Sequence, residues 1–275
     1  MDGFVGIDVA FAKRKRLPVC VATWMHGRLV PFPVADRRAP APPRGSGNVA
    51  TLNSEIVAKF ANDTAAYLRQ LEAYFGVTIR RIAIDAPSEP RSSGGKRRQA
   101  ECALDDRSIS CFTTPSAEEF ENIKSKARHH LEAGGEESRL PHANQLWMLV
   151  GFALFERLRR EWECLEVFPQ ATAAVLNAND THKSDVNGVE IQLRAASRLT
   201  RWPEPFSLHE LRKVVCGPAH DGLDAFLSAW VAALDERDRS EFGAAPDHVI
   251  WVPNVALLSN KALRAPSGAT SDTLE

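Results

Sequence analysis

Five acidic side chains stand in or beside otherwise apolar stretches of this sequence. Asp8 closes Gly6-Ile7-Asp8, Asp85 closes Ile84-Asp85 before Ala86-Pro87, and Glu166 lies within Leu165-Glu166-Val167-Phe168-Pro169. Asp221 and Asp224 open the run HDGLDAFLSAWVAAL, residues 220–234. A charge in an apolar strand is costly unless it is paired or coordinated. The three-residue spacing puts Asp221 and Asp224 on one face of a helix. Leu223, Phe226, Leu227, Trp230, Val231 and Leu234 form the face that would bury against a core. If the strands ending in Asp8 and Asp85 are parallel neighbours, their carboxylates project side by side beyond the strand ends, where open α/β sheets bind ligands. Ionised carboxylates packed so closely repel, and a divalent cation relieves the repulsion. All-oxygen ligation favours magnesium or manganese over zinc. Two such ions about 3.5–4 Å apart activate a water and stabilise the leaving oxygen of a phosphodiester. Singly, each acid has an ordinary role. A strand-end Asp is most often a turn residue, Asp221 suits a helix N-cap worth about 1 kcal/mol, and Asp224 suits a first-turn charge. Their joint placement is what points to a metal centre, and Asp224, inside the helix, is the hardest to explain as a cap.

Basic runs lie close to these acids in sequence. Lys13-Arg14-Lys15-Arg16 follows Asp8 and would sit in the first hairpin, at the mouth of the site. Lys96-Arg97-Arg98, preceded by Arg91, follows Asp85. Both could contact phosphates from the carboxylate side, or serve as solvated turns. Ser92-Ser93-Gly94-Gly95 could cradle a phosphate, although no Walker pattern is present. His220, next to Asp221, could assist a water or a leaving group, or be a surface residue.

The elements that must position these residues follow from periodicity. Phe4–Val9, Leu17–Trp24 and Arg28–Val34 read as strands, with His26-Gly27 as a turn signal, which suggests an antiparallel meander. DRRAPAPPRGSG, residues 36–47, is a loop. A long amphipathic helix spans about 53–74 and stops at Gly76. Ile79–Ile84 is a buried strand. Residues 88–142 are polar and too long for a plain loop, so they read as an inserted lid or substrate-binding segment. Asn144–Trp162 reads as one helix, Leu165–Phe168 as a short strand, and 170–199 as mostly helical with a break near Asn187-Gly188. The acid-bearing helix covers 221–235, and Val249–Val252 is a final strand. The order predicts an α/β fold with a mixed sheet: three antiparallel strands, then parallel strands joined by helical crossovers.

The 275 residues fit one domain, taken as 1–258 with the insertion at about 88–142 and a flexible tail over 259–275. A net charge of −1 gives no global pull toward nucleic acid, so any such binding needs a local basic patch. No apolar run approaches the roughly 20 residues of a membrane helix. The N-terminus lacks the pattern of a signal peptide. Five cysteines without a CxxC pair argue against a zinc ribbon or a disulfide framework, and the expected location is the cytoplasm.

The series GIDVA, IDAP, EVFPQ and HDGLDA resembles the DUF429 proteins, a predicted nuclease group with the ribonuclease H-like fold, over about residues 3–255. The pair Asp221 and Asp224 also resembles the DxxDA helix of Holliday-junction resolvases, a distant branch of that superfamily. The resemblance implies that Asp8, Asp85, Asp221 and Asp224 ligate magnesium or manganese, with Glu166 nearby in the catalytic set. It also implies a lysine and an arginine after EVFPQ, matched by Lys183 and Arg194. This chain has Gln170 where an acid is common, which puts the role of that strand in question. The expected function is two-metal hydrolysis of nucleic acid, DNA or RNA, with Lys13, Arg14, Lys15, Arg16 and Arg98 positioning the strand. Two rival readings share the core: a phosphotransferase of the actin and sugar-kinase type, and a non-catalytic nucleic-acid-binding module. The former usually carries a Gly-rich phosphate turn after its first Asp and two such domains. Here Val9-Ala10-Phe11-Ala12-Lys13 follows, and there is one core.

Overall fold

The computed structural model describes residues 1–256 except 93, 180, 182, 246 and 247, and the side chain of residue 186. The expected tail over 259–275 lies outside the described residues. The chain runs β1 (Asp2–Asp8), β2 (Val19–Met25), β3 (Arg28–Pro31), α1 (Ser54–Phe75), β4 (Thr78–Asp85), α2 (Gln99–Asp105), α3 (Ala117–Glu132), α4 (Ala143–Leu146), α5 (Met148–Leu158), β5 (Glu163–Val167), α6 (Pro169–Val175), α7 (Val186–Thr200), α8 (Leu211–Val214), α9 (Ala219–Ala232), β6 (Arg239–Phe242) and β7 (Ile250–Pro253). The strands form one seven-stranded mixed sheet in the order β3-β2-β1-β4-β5-β7-β6. β1, β2 and β3 are an antiparallel meander, as the turn at His26-Gly27 predicts. β1, β4, β5 and β7 are parallel, and β6 returns antiparallel on β7.

Helices cover both faces. Val5, Ile7, Val19, Val21, Ile82 and Ile84 join α1 and α5 in one core. Cys20, Ala22 and Leu29 join α7, α8 and α9 in a second. Ala83, Leu165 and Val167 meet Val231 and Ala232 of α9. Strand alternation therefore aims the even residues of β1 and the odd residues of β4 at α9. Helix α9 lies almost on the sheet backbone. An ideal Cβ on Gly6 would come within 2.0 Å of the Ala225 carbonyl oxygen and 2.2 Å of the Ala229 nitrogen. Only glycine permits that approach.

The long helix α1 starts and stops where its sequence says. Asn53 accepts hydrogen bonds from the Glu55 and Ile56 amides, and Gly76 closes the helix in the left-handed region at φ 64°. Other expectations are corrected. The helix expected over Asn144–Trp162 is two pieces, a single turn over Ala143–Leu146 and α5, which ends at Leu158 before a turn leads to β5. The break expected near Asn187-Gly188 lies earlier, after α6. Asn187 and Gly188 sit inside the first turn of α7, where Asp185 caps the Asn187 amide. Strand β6 carries too short an apolar pattern, Arg-Ser-Glu-Phe, to be read as a strand. The segment over 88–142, expected to be an insertion, carries α2 and α3, the latter opened by a Ser116–Glu119 capping box.

Candidate metal centre

Asp8 and Asp85 are register partners at the carboxyl ends of the parallel pair β1–β4. Both lie on the face that α9 covers. Helix α9 begins after Pro218, so Asp221 is a first-turn residue and not the N-cap. Asp224 follows one turn later, buried. One carboxylate oxygen from each of Asp8, Asp85 and Asp224 lies within 4.8 Å of the others. Among the described residues no hydrogen bond or ion pair reaches the Asp8 or Asp85 carboxylate, and Asp224 Oδ1 is buried without a hydrogen-bond partner.

The electrostatics of this grouping are those of crowded, dehydrated acids. Burial raises the Asp8 carboxyl well above the usual range, and Asp224, Asp85 and Asp221 raise it further. Burial likewise pushes Asp85 up to about 7, against the pull of Lys183. Asp224 is raised by burial too, although Lys183 opposes it. Burial by itself would lower the Lys183 ammonium, but Asp224, Asp85 and Asp8 outweigh that and hold it charged. Lys183 Nζ forms an ion pair with Asp224 Oδ2. It reaches the centre from the irregular segment between α6 and α7, close to where the resemblance placed a lysine.

Asp221 faces differently. Its carboxylate pairs with Lys15 Nζ at 2.7 Å and lies 3.2 Å from His220 Nε2. It thereby ties the loop after β1 to the first turn of α9. That loop is also anchored by the proline-rich segment: the Arg14 amide donates to Gly45 O at 2.9 Å, and the Gly45 amide donates to Lys15 O at 2.8 Å. Lys13, Arg14 and Arg16 remain exposed.

Glu166 is the acid the sheet separates from the others. It pairs in register with Ile84, while Val167 is the partner of Asp85. Its side chain therefore leaves the opposite face. There it accepts the Ser88 amide at 2.9 Å and Arg98 Nη2 at 2.7 Å. Both Glu166 and Arg98 are 3 % exposed, so Arg98 is spent on an internal ion pair and on His248 O at 2.9 Å and does not face solvent. Burial pushes Glu166 up to about 7, against the pull of Arg98 and the Ser88 amide. Arg194 is also remote in role: it pairs with Glu190 on its own helix and lies 3.9 Å over the Phe206 ring. The parity of Glu166 was readable. Asp85 stands two residues before its proline and Glu166 three before its own. The Arg98–Glu166 pair had no such signal, because the two are 68 residues apart.

Beyond the acids lies a cleft. Asp85, Arg98, Cys111, Phe112, Trp147, Glu166 and Phe168 are among the residues lining one pocket. Cys111, Phe112 and Phe168 also line a second, together with Gln170 and Lys183. Sequence periodicity gave no reason to single out Phe112.

Comparison with known proteins places the chain. A family model described as "Protein of unknown function (DUF429)" matches residues 6–248. The chain belongs to the DUF429 family. No curated protein and no solved structure matches it. The match spans all four strand-end and helix acids, Asp8, Asp85, Asp221 and Asp224, together with Glu166. No helix among the described residues of this DUF429 protein is long and apolar enough to cross a membrane.

Proposed function

We propose that this DUF429 protein is a divalent-metal-dependent nuclease of the ribonuclease H-like type. The observation that carries the reading is the convergence of Asp8, Asp85 and Asp224 from two parallel strands and a crossing helix, with one oxygen of each within 4.8 Å of the others. An antiparallel β1–β2–β3 meander leading into parallel β4 and β5 supports the fold part of the reading.

The donor set fits magnesium or manganese: carboxylate oxygens only, one of them buried and unpartnered. Asp8, Asp85 and Asp224 would hold the ion, and Asp221 stands one helical turn from Asp224. Bound there, a divalent cation supplies Lewis-acid polarisation of a phosphodiester and lowers the pKa of water. The other residues act on the strand. Lys13, Arg14 and Arg16, exposed on a loop pinned to α9 through Lys15 and Asp221, are placed to contact phosphates. Lys183 brings a positive charge to the edge of the acid cluster, where it offsets part of the repulsion and faces an incoming anion. Glu166 and Arg98 fix the segment after β4 and so the wall of the cleft.

The test is cleavage of labelled DNA and RNA, single- and double-stranded, in magnesium or manganese. Cleavage by the wild type that disappears in Asp8→Asn, with a melting temperature equal or higher, supports the reading. Full cleavage by Asp8→Asn, or none by the wild type on any substrate, overturns it.

A further inference from the structure

Phe112 is the most exposed aromatic side chain among the described residues, at 57 %. It lies on the irregular loop between α2 and α3, yet that loop is held firmly. The Thr114 amide donates to Glu101 Oε1 at 2.8 Å, Arg91 Nε to Thr114 O at 3.2 Å, Gln145 Nε2 to Thr113 O at 3.4 Å, and Arg97 Nη2 to Cys111 O at 3.4 Å. Bonds on both sides of residue 112 fix the backbone and leave the ring in solvent. Single exposed apolar residues are ordinary. A ring carried on a fixed backbone at the junction of two pockets beside an acidic centre is a platform.

The second pocket has a volume of about 620 Å³ and is lined by Phe112, Phe168, Gln170, Asn179 and Lys183 among others. That size is within the range of small-ligand sites. Gln170 lines this pocket, and its buried Oε1 has no hydrogen-bond partner in the protein. Lys183 connects this pocket to Asp224. An aromatic face, an amide with both donor and acceptor, and an ammonium beside the acids together match the three parts of a nucleotide: a flat base, its hydrogen-bonding edge and its phosphate. A base stacked and paired inside a continuous duplex hides both its faces and its Watson–Crick edge from such a pocket.

We propose that this pocket receives an unpaired nucleobase of the substrate strand, stacked on Phe112 and paired with the Gln170 amide, so that the protein acts at single-stranded or unpaired nucleotides. The inference rests on the nuclease reading and narrows its substrate class.

The test uses the full chain with 2-aminopurine-labelled single-stranded DNA and RNA and the corresponding continuous duplexes, with calcium in place of magnesium. The wild type binds a single strand more tightly than a duplex and quenches the probe. Phe112→Ala removes the quenching and weakens single-strand binding by roughly five- to a hundred-fold, the range of one base–aromatic stack. Phe112→Trp retains both, and Phe112→Ala keeps wild-type manganese binding and melting temperature. Equal affinity of wild type and Phe112→Ala, or a preference for continuous duplex, overturns the inference. If metal-dependent cleavage persists in that case, the nuclease reading survives alone. If the wild type neither binds nor cleaves any of these nucleic acids, both fail.

Discussion

At the scale of single residues, charge decides most outcomes. Asp85 ionises near the ordinary carboxylate value of 3.8 when unfolded and near 7 when folded. A folded value above the unfolded one means that protonation favours the native state. That contribution is complete below about 3.8 and is lost as pH rises through 7. In chelator, Asp85→Asn should therefore gain stability relative to wild type as pH rises from 5 to 8, measured by thermal denaturation. A gap that stays constant across that range contradicts the assignment of Asp85 as a dehydrated acid. The Arg98–Glu166 pair behaves in the opposite sense when broken. Removing one partner leaves a buried charge uncompensated, so Arg98→Ala should cost about 3 kcal/mol at pH 8. Glu166 takes up a proton near 7, and the loss should shrink at pH 5. Urea titrations at the two pH values read this directly, and adding Glu166→Gln to Arg98→Ala should recover much of the loss at pH 8.

At the scale of elements, the centre depends on how closely α9 approaches the sheet. Gly6 makes that contact, and any Cβ there would collide with helix backbone. Gly6→Ala should destabilise by about 1–3 kcal/mol or more, as overpacking does. It should also weaken manganese binding, because lifting α9 separates Asp224 from Asp8 and Asp85. Wild-type affinity in a destabilised Gly6→Ala would show that helix position and metal binding are independent. The strands that carry Asp8 and Asp85 were legible because short apolar runs ending in an acid are distinctive, and the acid-bearing helix because its apolar period is strong. What was hidden was relational. The face that Glu166 leaves depends on register, and Arg98 turns inward because a partner 68 residues away is waiting for it. The division of the helix over 143–158 and the short strand β6 were hidden for a different reason: each is set by tertiary packing, and neither has a local capping or periodic signature strong enough to mark it.

At the scale of the whole molecule, a net charge of −1 means that any affinity for nucleic acid is local. The exposed cations Lys13, Arg14 and Arg16 lie on the loop that Lys15 pins to Asp221. Replacing those three by alanine should lower the slope of log affinity against log salt by about 2 for single-stranded nucleic acid, since each released phosphate contact contributes roughly 0.7. An unchanged slope would place the strand elsewhere on the surface. Arg194 and Arg98, which the sequence placed beside these, should leave the slope unaltered, because one pairs along its own helix and the other is buried. The composition bounded this much from the start: with no global field, the site must be built from neighbours, and only the fold could say which basic residues those are.

Manganese binding followed by electron paramagnetic resonance tests most directly whether Asp8, Asp85 and Asp224 form a divalent-metal site. Titration of the full chain should show saturable loss of the free-ion signal in the wild type, and that loss should be abolished in Asp8→Asn at an equal or higher melting temperature. A wild type that leaves the free-ion signal untouched, or an Asp8→Asn protein that binds manganese as the wild type does, would contradict it.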